Sequence, residues 1–235
     1  MPSQLNLPLV QTPCAKIKAQ RAHPEFSRRI DTLKTNLNLK KETGYTYRRN
    51  GSYTYENNAN ATDEKNSLSL PNPLLPQNKN IIAYFHTHVK DFWYTDINGE
   101  YRPKDGIKMF SPADVNYLME MVKNAKDAGT SLEEVFAVMV SPKGNYQIRF
   151  TGDINQIKTF TDSQITTLGV AFERTMKWNK DDPKKLEYGI LKFMNDQMNL
   201  KGVSLYRMNA DGSNTEIKLN TTKTNIEEIK CSTKI

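Results

Sequence analysis

Residues 81–89 read IIAYFHTHV, and residues 109–118 read MFSPADVNYL. The first stretch is a short apolar run, Ile81 to Phe85, that delivers His86 and His88 at its carboxyl end. A β-strand places residues i and i+2 on one face, so both imidazoles point the same way. The second stretch opens a helix, with Ser111 as N-cap, Pro112 at the first helical position and Asp114 in the first turn. Two histidines from a strand end and one carboxylate from a helix start can converge on a single divalent ion. Three protein ligands with a fourth position left to water is the open form of a zinc site. The chain has only 3 histidines, and two of them sit here on either side of Thr87.

Working outward, the chain of 235 residues suits one generous domain or a domain with an appendage. A hydrophobic content of 37% is compatible with a globular core. The formal charge of +7 points to an acidic partner or surface or equally to Lys-rich solvated faces, and Lys and Arg are dispersed rather than clustered, which argues against nucleic acid. Cys14 and Cys231 lie near opposite ends and read as two unrelated thiols, which leaves no Cys-type zinc site. No apolar run approaches the roughly 18 residues of a membrane span, and the amino terminus lacks a signal-peptide core. The expectation is a soluble chain with no export address.

Residues 1–22 hold several prolines and no clear period, and are expected to form an extended leader or linker. Phe26, Ile30, Leu33 and Leu37 recur at helical spacing from His23 to about Leu39. His23, before a proline, reads as a surface residue. Tyr and Thr alternate on both sides of Asn50-Gly51, a strong hairpin signal, so Glu42 stands at the entry of the first strand and Glu56 at the exit of the second. Residues 57–79 read as a surface loop. Residues 89–110 are an insertion in which Asn98-Gly99 closes a second small hairpin. Its aromatic residues 92–94 are expected to anchor it by burial rather than line a cleft. The Ser111 helix runs to Gly129 with an apolar stripe for the sheet. VFAVMVS, residues 135–141, is a buried central strand, and Lys143-Gly144-Asn145 turns it into YQIRF. Two helices follow, from about Asp153 to Trp178 with a break near Gly169, and from Pro183 to Asn199. A hairpin around Asp211-Gly212 comes last, and residues 221–235 read as a frayed tail.

A glutamate on an early strand, His-x-His at a later strand end and Ser-x-x-Asp opening a helix: this order resembles the JAMM/MPN metallopeptidases. It most resembles the divergent bacterial JAB-like domains of polymorphic and Rhs-type toxins. His86 and His88 match the His-x-His pair, Ser111 and Asp114 the Ser-x-x-Asp, and Glu42 in Glu-Thr-Gly the upstream glutamate. The resemblance spans roughly residues 23–150. Two features depart from the family pattern: Val89 stands where proline usually follows the second histidine, and residues 89–110 make the gap to Ser111 unusually long.

The resemblance implies an α/β (α+β), MPN-like (cytidine-deaminase-like) domain over residues 23–220, a mostly antiparallel sheet flanked by helices. It implies Zn²⁺ on His86, His88 and Asp114, with Glu42 as general acid–base and Ser111 as donor to the oxyanion of peptide or isopeptide hydrolysis. Implied partners are a protein or peptide substrate and an immunity or adaptor protein, and the implied setting is the bacterial cytoplasm or delivery within a larger toxin. Two alternatives stay open, a catalytically inactive MPN-like scaffold and a different zinc hydrolase. Without a Cys pair, the zinc deaminases fit poorly.

Overall fold

The computed structural model describes residues 12–59 and 66–231. Helices α1 (Pro13–Ala22) and α2 (Pro24–Asn36) lead into strands β1 (Gly44–Arg48), β2 (Tyr53–Glu56) and β3 (Ile81–Thr87). The small hairpin β4 (Phe92–Thr95) and β5 (Tyr101–Lys104) precedes helix α3 (Pro112–Asp127), then β6 (Phe136–Ser141) and β7 (Gly144–Phe150). Helices α4 (Asp162–Met176) and α5 (Pro183–Asp196) precede β8 (Val203–Met208), β9 (Asn214–Leu219) and β10 (Ile226–Lys230). Eight strands form one sheet in the order β10-β9-β8-β7-β6-β3-β1-β2, while β4 and β5 pair apart from it. Among the described strands only β3 and β6 run parallel. A parallel pair needs a long crossover, and the β4–β5 hairpin with α3 supplies it. The result is an α+β fold, a mostly antiparallel sheet flanked by helices and closed by a carboxyl-terminal hairpin.

Every residue of β3 is buried, which its unbroken apolar run requires of a strand covered on both faces. Side chains alternate across it, and so do the two layers that cover it. Ala83 and Phe85 pack on Phe26, Ile30 and Leu33 of α2. Tyr84 faces the opposite layer, a larger cluster that includes Phe110, Val115, Leu118 and Met119. Each such large apolar side chain contributes roughly 1.5–3 kcal/mol on burial. His86 shares the parity of Tyr84 and so emerges on the α3 side.

Several expectations are corrected. Residues 13–22, expected as extended leader, are helix α1, N-capped by Thr12; residues 1–11 of that leader lie outside the described residues. Only Ile17 of α1 is buried, so its apolar signal is one residue deep, and so short a helix is marginal alone. Tertiary contacts hold it: Arg21 donates to the Ser213 and Asn209 carbonyls at 2.6 and 2.8 Å. Cys14 and Cys231 are not unrelated thiols but a disulfide, with Cα atoms 5.4 Å apart across a sequence separation of 217. The tail expected from 221 instead adds β10 to the sheet edge through backbone pairing with β9, which its mostly exposed side chains do not advertise; residues 232–235 lie outside the described residues. The helix expected from Asp153 starts only at Asp162, because Asp153 caps a short 3₁₀ turn and Thr161 forms a new capping box. Gly169 does not break it, and α5 ends at Asp196 rather than Asn199.

Candidate metal centre

His86 and His88 leave β3 where three strands meet. His86 stands opposite Gly44 of β1 and Met139 of β6. The ladder continues past the strand end, with the His88 amide donating to the Val140 carbonyl at 2.9 Å. On the other side, the Thr87 amide donates to the Thr43 carbonyl at 2.9 Å. Gly44 lets β1 come this close: a Cβ there would lie 2.3 Å from the Phe85 carbonyl oxygen and 2.7 Å from Leu68 Cδ2. The glycine two residues after Glu42 therefore has a packing reason, which also brings Glu42 to the histidines.

Asp114 arrives from α3. Its Oδ2 accepts from the Ser111 amide and the Ser111 hydroxyl, both at 2.7 Å, and its amide donates to Ser111 Oγ at 3.2 Å. This capping box turns the carboxylate back over the helix start. Oδ1 is left facing His86 Nε2 at 3.4 Å, while Oδ2 lies 3.8 Å from His88 Nε2. The two Nε2 atoms are 3.0 Å apart. A tetrahedral ion with bonds of about 2.0–2.1 Å holds its ligand atoms about 3.3 Å from one another. Each of these separations is close to an edge of such a tetrahedron, with the carboxylate meeting the two imidazoles through different oxygens, and with one ligand atom from each lying within 4.8 Å of the others the three residues form a group able to hold a metal ion.

Neighbouring groups fix the donors. His88 Nδ1 lies 2.7 Å from the Ile107 carbonyl oxygen, and donating there leaves Nε2 as the lone-pair donor. His86 Nδ1 is buried without an ordinary hydrogen bond, with the Val138 backbone the group that bears on it. Burial by itself would lift the Asp114 pKa, but both imidazoles and the Ser111 amide outweigh it and hold the carboxyl well below the usual range. Burial likewise works against a charged His86, yet the charge and hydrogen bond of Asp114 leave its pKa raised. At His88 burial prevails, and the pKa is lowered. Ligation of a metal needs an anionic carboxylate and neutral imidazoles, so the directions at Asp114 and His88 favour it while that at His86 opposes it.

A cleft of about 520 Å³ opens beside this group, lined by Glu42, His88 and Ser111 among others. Glu42 Oε2 accepts the Leu68 amide at 3.0 Å, and its charge bears on both imidazoles. Ser111 reaches the cleft, but its hydroxyl hydrogen is directed at Asp114. Glu56 is elsewhere, accepting from Thr46 Oγ1 at 2.9 Å. His23 is exposed. The aromatic residues 92–94 divide by strand parity, contrary to the expectation of simple anchoring. Phe92 and Tyr94 line the cleft, whereas Trp93 is 50% exposed and stacks on Tyr101 at 5.1 Å. Lys108 Nζ meets Asp91 Oδ1 at 2.7 Å and ties the two ends of the insertion together.

The sequence reading did not find the Ile107 carbonyl or the Leu68 amide, because backbone groups leave no mark on residue type. Among the described residues no helix is long and apolar enough to cross a membrane. Comparison with protein-family models, with curated proteins and with solved structures gives no match.

Proposed function

We propose that the chain is a zinc-dependent hydrolase of peptide or isopeptide bonds, a JAMM/MPN-like enzyme serving as a bacterial toxin or effector domain. One observation carries the reading: His86 and His88 from one strand end and Asp114 from the start of α3 bring three ligand atoms within 4.8 Å of one another, beside a cleft that Glu42 and Ser111 line. The order of these residues along the chain resembles that family, and two imidazole nitrogens with one carboxylate oxygen suit zinc. Zinc held there supplies Lewis acidity and lowers the pKa of water toward neutrality.

The remaining work falls to the chain. Glu42, anchored through Oε2 to the Leu68 amide, accepts the proton of the attacking water and returns it to the leaving amine. Ser111 donates to the carbonyl oxygen as it becomes negative, a role that requires its hydroxyl to turn away from Asp114 while its amide keeps that carboxylate in place. The substrate is a protein or peptide, with an immunity or adaptor protein as the further partner. The direction of the Ser111 hydroxyl favours a second reading, a scaffold that has kept the site without using it.

Glu42→Gln separates the two. It should lower peptide cleavage, or toxicity on expression in cells, by about 10²–10⁴-fold while zinc content and fold persist. Glu56→Gln, outside the cleft, should match wild type. If Glu42→Gln and His88→Ala both leave the biological effect untouched, the hydrolase is the wrong reading and the scaffold stands.

A further inference from the structure

Tyr84 stands two residues before His86 on β3 and on the same face, with the two rings 5.5 Å apart. It is fully buried, and its hydroxyl donates to the Asp114 backbone carbonyl at 2.8 Å. Among the described residues it is the one side-chain hydrogen bond between β3 and α3 that is not an approach of the metal-group atoms to one another. The carbonyl does not need this bond. It lies in the first turn of α3, where the helix ladder engages one of its two lone pairs and leaves the other open. A phenylalanine would fill the same space without burying a donor that must find an acceptor. The hydroxyl therefore adds direction rather than volume: it sets where the start of α3 stands along β3. Burial first, then the charge of Asp114, pushes the Tyr84 pKa well above its ordinary value, so the hydroxyl keeps its proton and remains a donor.

Tyr117, three residues beyond Asp114 on α3, completes the arrangement. Its ring meets that of Tyr84 edge to face at 5.0 Å and holds it in place. Its own hydroxyl donates elsewhere, to the Pro71 carbonyl at 2.7 Å. Two tyrosines in contact thus grip two different backbone carbonyls, one inside the metal group and one outside it. We infer that Tyr84 is a positioning residue for the metal group: through the Asp114 carbonyl it sets the separation of the carboxylate on α3 from the imidazoles on β3, 3.4 Å from Oδ1 to His86 Nε2; this rests on the metal group of the hydrolase reading and not on its chemistry. Tyr84 touches neither the ion nor the substrate. Val115, Leu118 and Met119 keep α3 packed on the sheet without the hydroxyl, so its loss loosens the placement of the carboxylate rather than the fold. Groups that orient metal ligands from behind are worth about 10–100-fold in metal affinity.

The test titrates the full chain with Co²⁺, whose visible absorption reports the geometry of its ligands as well as binding. Tyr84→Phe removes one oxygen atom. It should bind Co²⁺ about 10–100-fold more weakly than wild type and alter the visible spectrum, while far-ultraviolet circular dichroism and a cooperative melt persist. Tyr117→Phe removes an equivalent hydroxyl from the same cluster and should leave affinity and spectrum as in wild type. Tyr84→para-aminophenylalanine restores a donor at the same place and should recover most of the lost affinity. Unchanged affinity and spectrum in Tyr84→Phe would overturn the inference and leave the hydrolase reading standing. So would an equal loss in both phenylalanine variants, the mark of general loosening, or a Tyr84→Phe chain that does not fold, which would make the hydroxyl a requirement of the fold. A wild type that binds Co²⁺ with the expected dependence on Tyr84 but cleaves no peptide upholds the inference and removes only the hydrolase reading. A wild type that takes up no Co²⁺ overturns both.

Discussion

Asp114→Asn tests the metal centre with the least damage to the fold. The carboxylate closes the capping box with Ser111, and in the proposed centre its Oδ1, facing His86, would be the donor to the ion. An asparagine carbonyl oxygen can still accept from the Ser111 amide, so the metal-free protein should lose only part of the cap and the helix-dipole interaction, about 1 kcal/mol. For a chain of this size that lowers Tm by about 2–4 °C.

The metal-dependent part is larger. One ligand atom from each residue already lies within 4.8 Å of the others, so zinc held there would bind the native state with little rearrangement and the unfolded chain poorly. At a thousandfold excess of zinc over Kd, that preference adds about 4 kcal/mol, or about 8–16 °C in Tm. If losing the ligand weakens binding about a hundredfold, the upper effect of disturbing even a supporting group, the same zinc concentration adds only about 1.4 kcal/mol, or about 3–6 °C. Differential scanning calorimetry of both proteins, with chelator and with zinc, measures the two differences separately. An equal zinc shift in wild type and Asp114→Asn would refute the carboxylate as a ligand, and no shift in wild type would sink the centre altogether.

Replacing the hairpin tip, residues 96–100, by a short glycine turn should alter turnover but keep zinc, as shown by elemental analysis. Removing all of 89–110 should lose zinc, because the Ile107 carbonyl that holds His88 goes with it; equal zinc in both deletions would count against that support. Converting Cys14 and Cys231 to serine removes a link between α1 and the end of β10, and should cost about 2–5 kcal/mol in denaturant titration with zinc affinity unchanged. Gly44→Ala pushes a methyl group against the Phe85 carbonyl, so it should destabilise by about 1–3 kcal/mol and reduce zinc binding as β3 shifts; a protein of native stability and full zinc content would show that the approach of β1 is not tight.

Much of the fold was legible because its signals are local. Asn50-Gly51, Asn98-Gly99 and Asp211-Gly212 each sit in a hairpin connection, and each of the three glycines has positive φ. His86 and His88 share a face by strand parity, and Ser111 and Asp114 share a capping box by their spacing of three. These local signals were therefore enough to name the three residues that form the group able to hold a metal ion. They were not enough for what reaches the site from elsewhere. The clasp of Ile107 on His88, the anchoring of Glu42 by the Leu68 amide and the turning of Phe92 and Tyr94 into the cleft all depend on how the loops lie over the sheet. At the ends of the chain the same limit hid α1, β10 and the Cys14–Cys231 bond. Periodicity and capping are properties of neighbouring residues, so the sequence carries them openly. Contacts between distant backbone groups, and between two cysteines at a sequence separation of 217, exist only once packing has brought the segments together.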